Sequence, residues 1–271
     1  MHSYTIITGA SSGIGLALTK ALAARNTPLI LACRNLQKAE ALKTELHSTA
    51  PILIEKLELS SFQSVIEFSQ RVRRLRLHAL VNNAGASYTQ YTLSNDGYEL
   101  SLATNCLAPS LLCLALAEQV QNNGIILNTV SLTHRFGKIA DTFPHIAPKP
   151  YAQLKNYSNA KLALYLFTYK LWQQRGQSIR IHAYDPGIVN TGMISMKRWY
   201  DPLADVLFRP LIRKPQSAAK IAVRALEHAD SGLIFKSRSQ TPMPSSIAEH
   251  ADIERVWEAI NSLYSSLFMS S

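Results

Sequence analysis

The sequence predicts an α/β fold in which a doubly wound parallel sheet is covered by helices on both faces. Short apolar segments alternate with helical segments from residue 4 to about residue 191, which is typical of parallel strands joined by right-handed crossovers. A glycine-rich turn directly follows the first of these apolar segments. No linker interrupts the alternation, so we expect one domain that spans residues 1–271.

The predicted elements begin with the strand Tyr4–Ile7 and the helix Leu16–Ala23. Short runs of aliphatic and β-branched residues indicate strands, and apolar residues three and four apart indicate helices. The next elements are Pro28–Cys33 (strand), Leu36–Ser48 (helix), Ile52–Leu57 (strand), Phe62–Leu75 (helix), His78–Val81 (strand) and Asn95–Val120 (helix). They are followed by Gly124–Val130 (strand), Leu132–Pro150 (loop), Tyr151–Gln174 (helix), Ile179–Ala183 (strand), Pro215–Ala229 (helix), Gly232–Phe235 (strand) and Ile247–Leu267 (helix).

Charge and cysteine content narrow the class of protein. The net charge is +10, but the densest basic cluster has no aromatic residues among its arginines, which favours a solvated helix terminus over a nucleic-acid site. This cluster consists of Arg71, Arg73, Arg74 and Arg76. The three cysteines lack metal-ligand spacing, so we expect no metal site and a reducing, cytoplasmic location. We find no signal peptide and no run of about 18 apolar residues, and therefore expect no membrane-spanning segment.

The segment Thr8–Gly15 has the composition of a phosphate-binding turn. It lies between a strand and a helix, and the N–H groups and dipole of a helix N-terminus favour an anion. We expect Gly9 to allow the tight turn, Gly13 to let the backbone approach phosphates, and Gly15 to let the helix pack close to the strand. By itself the pattern is also compatible with a purely structural turn. The residues predicted to bind a dinucleotide here are Gly9, Ser11, Ser12, Gly13, Ile14 and Gly15.

The end of the second strand predicts which dinucleotide binds. An acidic residue at this position would bind the ribose 2′-hydroxyl of NAD, but the sequence has Cys33 followed by Arg34. An arginine pairs with a 2′-phosphate through charge-assisted bonds, so we predict that NADP(H) is favoured over NAD(H). The alternative is an arginine that is simply exposed in a turn. Asn35 lies in the same turn, and by position alone Glu58 and Leu59 are predicted to reach the adenine.

Candidates for chemistry lie at later strand ends and on two helices. Asn82–Gly85 follows the fourth strand, where small residues let the backbone lie against a ligand. Tyr157 and Lys161 are four residues apart, hence on one face of a helix. Asn105 lies within an apolar helical segment, and Ser131 follows the fifth strand. Each motif alone has an ordinary explanation. Asn82–Gly85 is compatible with a turn, Asn105 with a hydrogen-bonded core residue, Ser131 with a helix cap, and Tyr157-x-x-x-Lys161 with a chance occurrence.

In combination and in this order, these motifs resemble those of the short-chain dehydrogenase/reductase family. The matching motifs are Thr8–Gly15, Asn82–Gly85, Asn105, Ser131, Tyr157-x-x-x-Lys161 and Pro186-Gly187. The finer pattern is similar to the retinol-dehydrogenase-like branch, through Ala32–Asn35, Ser131-x-x-His134-x-x-Gly137, Tyr151 and Trp257. There are two departures: Glu58 replaces the usual Asp, and we find no N-terminal membrane anchor.

The resemblance implies a Rossmann-type fold and a catalytic set of Asn105, Ser131, Tyr157 and Lys161. Tyrosine has an ordinary pKa of about 10, and a nearby cation such as Lys161 favours its anion. Tyr157 would then be the general acid/base, while Ser131 polarises the carbonyl and Asn105 positions a water that leads to Lys161. The implied cofactor contacts beyond the first turn are Asn83, Ala84, Gly85, Tyr157, Lys161, Pro186, Gly187, Val189 and Thr191.

The predicted function is hydride transfer between a nicotinamide cofactor and an apolar aldehyde, ketone or corresponding alcohol. Two other classes stay open: a nucleotide-sensing interaction protein on the same fold, and a basic nucleic-acid or membrane-surface binder that rests on charge alone. The apolar, aromatic segment 192–214 is open to three interpretations: a substrate lid, a dimer contact or a membrane-surface contact. The resemblance also implies a homodimer or tetramer.

Overall fold

The computed structural model describes residues 2–146, 151–187, 189 and 213–269. Their strands all belong to one sheet of eight, with the order β3-β2-β1-β4-β5-β6-β7-β8. In chain order β1 to β8 are Ser3–Thr8, Leu29–Cys33, Ile52–Lys56, Arg76–Asn82, Val120–Thr129, Arg180–Tyr184, Leu233–Phe235 and Gln240–Pro242. This order and the parallel pairing of β1 to β7 confirm the predicted Rossmann-type, doubly wound sheet.

The helices of the described residues, α1 to α8, lie on the two faces of the sheet. Their bounds are Gly13–Ala23, Leu36–Glu45, Phe62–Val72, Leu100–Gln119, Gln153–Arg175, Pro215–Glu227, Ser245–Ala248 and Ile253–Phe268. One apolar core packs α3, α4, α5 and α8 against the sheet, and a second packs α1, α2 and α6 on the opposite face. Helices therefore cover both faces, as the sequence predicts.

The sheet changes strand order at β1, which pairs with β2 on one side and β4 on the other. Ligands of such sheets bind outside the carboxyl ends of the strands at this point. The turn after β1, the segment after β4 and the ends of β5 and β6 all open onto this edge. The candidate residues at these strand ends are therefore brought to one side of the molecule.

Several predicted boundaries are wrong. Helix α4 begins at Leu100 rather than Asn95, because the preceding residues form a turn closed by the bond from Ser94 N–H to Tyr98 O at 2.7 Å. The predicted last helix is two helices, α7 and α8. The Arg71–Arg76 cluster does not lie wholly at a helix terminus, since Arg76 begins β4. The antiparallel strand β8 has only three residues, too few to show a periodicity in the sequence.

Helix α4 is long and apolar enough to cross a membrane by length and composition alone. Polar residues such as Ser101, Thr104 and Asn105 interrupt this segment, so the sequence still has no uninterrupted run of about 18 apolar residues. In the structure, 83% of its apolar window is buried inside the protein, where it packs in the core between α3 and α5. Its hydrophobicity is therefore explained by its place in the core of the fold.

Candidate active site

The glycine-rich turn after β1 is shaped by contacts that leave no room for side chains. Gly9 and Gly13 have φ angles of +68° and +51°, in the region that favours glycine. A Cβ on Gly15 would lie 2.2 Å from the carbonyl oxygen of Gly9 and 2.7 Å from Nδ2 of Asn83. Ser12 is the N-cap residue of α1, and its side chain makes no capping hydrogen bond. The N-terminus of α1 thus opens onto the turn without a side-chain cap.

The segment after β4 is held against this turn by Thr8 and Asn83. The Thr8 hydroxyl accepts hydrogen bonds from the N–H groups of Asn83 and Ala84 at 3.0 and 2.9 Å. The Asn83 side chain donates to the Thr8 carbonyl at 2.9 Å and accepts from the Tyr184 hydroxyl at 3.2 Å. A Cβ on Gly9 would lie 3.0 Å from that of Ala84. Two predicted cofactor-binding segments therefore form one rigid surface.

Asn105 lies in a π-helical stretch of α4, Ala103–Leu107. Pro109 has no N–H to donate to the carbonyl four residues earlier, which is that of Asn105, and the helix widens at this point. The side chain of Asn105 is buried, donates to Ala86 O at 2.6 Å and accepts from Ala86 N–H at 3.2 Å. A Cβ on Gly85 would lie 2.6 Å from Oδ1 of Asn105 and 3.6 Å from Nζ of Lys161. Gly85 therefore allows Asn105 and Lys161 to approach the same point.

Tyr157 and Lys161 lie on one face of α5, as their spacing predicts. Nζ of Lys161 is 5.7 Å from the ring centroid of Tyr157, and the lysine is 2% exposed. The ammonium donates to the carbonyl of Thr129 at 2.8 Å, at the end of β5. Ser131, two residues further on, accepts hydrogen bonds from the hydroxyl and N–H of Thr133 at 3.0 and 3.3 Å. Ser131 thus caps a turn, which is the structural alternative given above. It also lies beside α5, at the carboxyl end of β5.

Burial and neighbouring charges set the protonation of these groups. Burial raises the pKa of Tyr157, the negative charge of Asp185 raises it further, and the Ser131 hydroxyl offsets part of the increase. Burial lowers the pKa of Lys161 to about 8, while Cys106 and Asp185 act in the opposite direction. Tyr157 is therefore a neutral phenol at neutral pH, able to donate a proton. Most of the adjacent lysine is still charged at that pH.

Arg34, predicted to bind a 2′-phosphate, has a side chain that is 77% exposed. Its Nε lies 3.7 Å from a carboxylate oxygen of Glu58, one of the two residues predicted to reach the adenine. Asn35 accepts a hydrogen bond from Lys38 N–H at 2.9 Å and caps α2, while the Leu59 side chain packs in the core. These contacts leave the guanidinium of Arg34 largely exposed at the end of β2.

After β6, Pro186 is buried, Gly187 is exposed with a φ of +74°, and Val189 pairs with Arg213. A Cβ on Gly187 would lie 3.0 Å from Nε of Arg213, so the strand end lies directly against this arginine. Thr191 lies outside the described residues, as does most of the segment 192–214.

A match to a family model decides which family this arrangement belongs to. The model described as short chain dehydrogenase matches residues 3–200, which include all the strand ends described above. The chain belongs to this family. Among curated relatives, human retinol dehydrogenase 11 is 32% identical over 230 residues, covering 80% of this chain and 70% of that protein. Retinol dehydrogenase 12 of Mus musculus is 29% identical over 265 residues, covering 93% and 83%. The predicted retinol-dehydrogenase-like branch is thereby confirmed.

Solved structures share the fold of this chain. A blue fluorescent protein from a metagenomic library, in complex with NADPH, superposes with a TM-score of 0.69 at 21% identity, over 86% of this chain and 95% of that one. An uncharacterised protein from Mycobacterium paratuberculosis reaches a TM-score of 0.74 at 24% identity, over 98% and 92%. At these identities the likeness shows the Rossmann fold of the short chain dehydrogenases.

The sequence prediction of site residues missed Asp185 and Glu99, two buried carboxylates near the candidate set. Asp185 is 8% exposed and accepts a hydrogen bond from Gly187 N–H at 2.9 Å. Glu99 is 2% exposed and accepts hydrogen bonds from the N–H groups of Ser101 and Leu102 at 2.9 and 2.8 Å, at the start of α4. Asp185 follows the end of a buried strand, as Ser131 does, and ligands of such sheets bind at the carboxyl ends of strands, so the sequence could have indicated Asp185 as well. Glu99 is the N-cap residue of α4, and the sequence gives no signal for this position because it predicts that the helix begins at Asn95.

Proposed function

We propose that the protein is an NADP(H)-dependent oxidoreductase that interconverts an apolar aldehyde or ketone and the corresponding alcohol, with Tyr157 as general acid/base. One observation carries the proposal: a buried lysine beside a tyrosine of raised pKa, at the sheet edge onto which the glycine-rich turn opens. Reduction of a carbonyl needs a hydride donor and a proton donor at the same group. The family to which the chain belongs supports the same reaction class.

The described residues fit a dinucleotide. The absence of side chains at Gly9 and Gly15 lets the turn after β1 pack against Ala84 and Asn83, and the N-terminus of α1 lacks a side-chain cap, so its N–H groups are available to an anion. Ala84 packs against Gly9 of this turn, and the next residue, Gly85, lies close to Nζ of Lys161, so this segment connects the turn to Lys161. When bound, a nicotinamide dinucleotide supplies the hydride, and residues of this chain donate the proton and stabilise the charge that develops on the substrate.

In the reductive direction, the Tyr157 hydroxyl donates its proton to the substrate oxygen while the carbonyl carbon receives the hydride. The Ser131 hydroxyl, beside Tyr157, donates a hydrogen bond to the same oxygen and stabilises the negative charge that develops on it. The Lys161 ammonium favours the tyrosinate that remains. Asn105, adjacent to Lys161 across Gly85, positions the water that returns a proton toward Lys161.

Arg34 supports the preference for NADP(H) over NAD(H). Its guanidinium is exposed at the end of β2, where a 2′-phosphate would meet it, and its one described ion pair is the long contact with Glu58. The blue fluorescent protein of the same fold, solved in complex with NADPH, lends further support to this cofactor. We also propose a cytoplasmic location, which the three free cysteines support.

The apolar substrate class is supported by the names of the retinol dehydrogenase relatives, since retinol is an apolar alcohol. The test is a steady-state assay of NADPH consumption by the purified protein with long-chain and polyene aldehydes against short polar ones. Turnover that rises with chain length is the expected result. Faster turnover of short polar carbonyls would overturn the substrate class, and turnover of none would overturn the proposed activity.

A further inference from the structure

Asp185 is a buried carboxylate that the proposed mechanism does not use. It is the first residue after β6 and is 8% exposed. Its side chain accepts a hydrogen bond from Gly187 N–H at 2.9 Å, and its own N–H donates to Phe235 O at 2.8 Å. A carboxylate costs free energy to bury unless other groups stabilise it, so its position here calls for a physical explanation.

Strand geometry places Asp185 on the same face of the sheet as the candidate catalytic residues. Thr129, whose carbonyl binds Lys161, pairs with Tyr184, and Val130 N–H donates to Tyr184 O at 2.9 Å. Side chains alternate along β6: Ala183 packs in the α5-side core and Tyr184 in the opposite one, so Asp185 points toward α5. It therefore lies beside Val130, one residue before Ser131.

The groups around Asp185 are mostly cationic or neutral. From α5 it faces Tyr157, Lys161 and Tyr165, each of whose pKa values its negative charge raises. His134, Lys236 and Arg213, from three other segments, lower the pKa of Asp185, while burial raises it above its ordinary value. Without the carboxylate, the fixed charges left among these groups are Lys161, Lys236 and Arg213, all positive.

We propose that Asp185 makes the site prefer the oxidised, positively charged nicotinamide over the reduced, neutral one. The inference rests on the proposed function: hydride and proton reach one carbonyl group, so the nicotinamide must lie beside Tyr157 and therefore near Asp185. The carboxylate attracts the cation and offsets the three neighbouring positive charges. Tighter binding of the oxidised product relative to the reduced cofactor favours hydride donation on the protein.

The test is the ratio of dissociation constants for NADPH and NADP⁺, measured by titration calorimetry on the full chain. For Asp185→Asn, which keeps the shape and removes the charge, we expect NADP⁺ to weaken about three- to tenfold relative to NADPH. Asp185→Glu keeps the charge and should keep the ratio within about twofold. Asp230→Asn is a matched control, because Asp230 has a side chain 78% exposed and lies after α6.

A measurement on the unmodified protein covers the case in which Asp185→Asn fails to fold. Lowering the pH from about 7.5 to about 5 protonates more of Asp185, and it also adds protons to His134 and to the remaining neutral Lys161. All three changes make the site more positive, so the preference for NADP⁺ should fall. The 2′-phosphate titrates in both cofactors, so its contribution cancels from the ratio. An unchanged ratio in Asp185→Asn, or a pH-independent ratio where that variant does not fold, overturns the inference while leaving the proposed function intact. Failure of the unmodified protein to bind either cofactor overturns both.

Discussion

The ammonium of Lys161 donates a hydrogen bond to the backbone carbonyl of Thr129 at 2.8 Å, and this bond fixes α5 to the end of β5. The contact holds Lys161 beside Tyr157 before any ligand binds, since it uses only backbone and side chain of this chain. A carbonyl oxygen satisfies the buried ammonium but does not neutralise it. Burial therefore still lowers the pKa of Lys161, to about 8.

This pKa predicts how carbonyl reduction depends on pH. Because the pKa of Lys161 is lowered, the charged ammonium is present below about pH 8 and is lost above it. The reductive kcat should therefore fall about tenfold per pH unit on the alkaline side, since the neutral amine no longer favours the tyrosinate. Lys161→Arg stays charged throughout and should move the decline to higher pH. A flat profile from about pH 7 to about pH 10 would contradict this assignment.

Tyr157→Phe tests the proton donor. The variant should bind NADPH as tightly as the unmodified protein and lose about 10²- to 10⁴-fold in kcat, because the phenylalanine has no proton to give. Tyr165→Phe is the matched control: it lies on the same helix, is buried, and its hydroxyl has no hydrogen-bond partner among the described residues. Near-native reduction by Tyr157→Phe would refute the role of this tyrosine.

Substitutions of Arg34 and Glu58 should change the preference for NADPH over NADH in opposite directions. Arg34→Ala should weaken NADPH about tenfold and leave NADH nearly unchanged, because only NADPH carries the 2′-phosphate. Glu58→Gln should strengthen the preference for NADPH, since it removes the carboxylate 3.7 Å from Arg34. Lys38→Ala, an exposed cation on α2, serves as the control for net charge. The NADP(H) proposal is wrong if Arg34→Ala leaves the ratio of the two affinities unaltered.

Gly15→Ala should destabilise the turn after β1. Its Cβ would meet the Gly9 carbonyl at 2.2 Å and Asn83 Nδ2 at 2.7 Å, and we expect a loss of about 3 kcal/mol in the free energy of unfolding. Gly97→Ala meets nothing within 4 Å and carries only the strain of a φ of +81°, about 1 kcal/mol. Urea unfolding of both variants measures the difference. Equal losses would show that the close approach at Gly15 is not what the fold requires.

The sheet and most of its helices were predictable because buried parallel strands and amphipathic helices have local sequence signals. The glycines of the turn after β1 were predictable for the same reason, since each lies where local geometry excludes a side chain. Boundaries at α4 were not, because the turn before Leu100 depends on a hydrogen bond between Ser94 and Tyr98 that no periodicity records.

Contacts between distant strand ends were the least predictable part of the site. The Arg34–Glu58 pair joins the ends of β2 and β3, and the register of β5 and β6 places Asp185 on the same face of the sheet as the candidate catalytic residues. A sequence indicates that each residue follows a strand, but the pairing register decides which side chains meet. The position of Asp185 beside Val130 therefore depends on strand pairing, which the sequence of β6 alone does not specify.

The most direct test of the central claim is the transfer of a labelled hydride. NADPH deuterated at the transferable position is incubated with a long-chain aldehyde and the purified protein, and the alcohol is analysed by mass spectrometry. The account predicts one deuterium on the carbinol carbon, formed at a rate that Tyr157→Phe reduces at least about 10²-fold. Tight binding of NADPH without any labelled alcohol, across apolar aldehydes and ketones, would contradict it and favour a nucleotide-sensing interaction protein on the same fold.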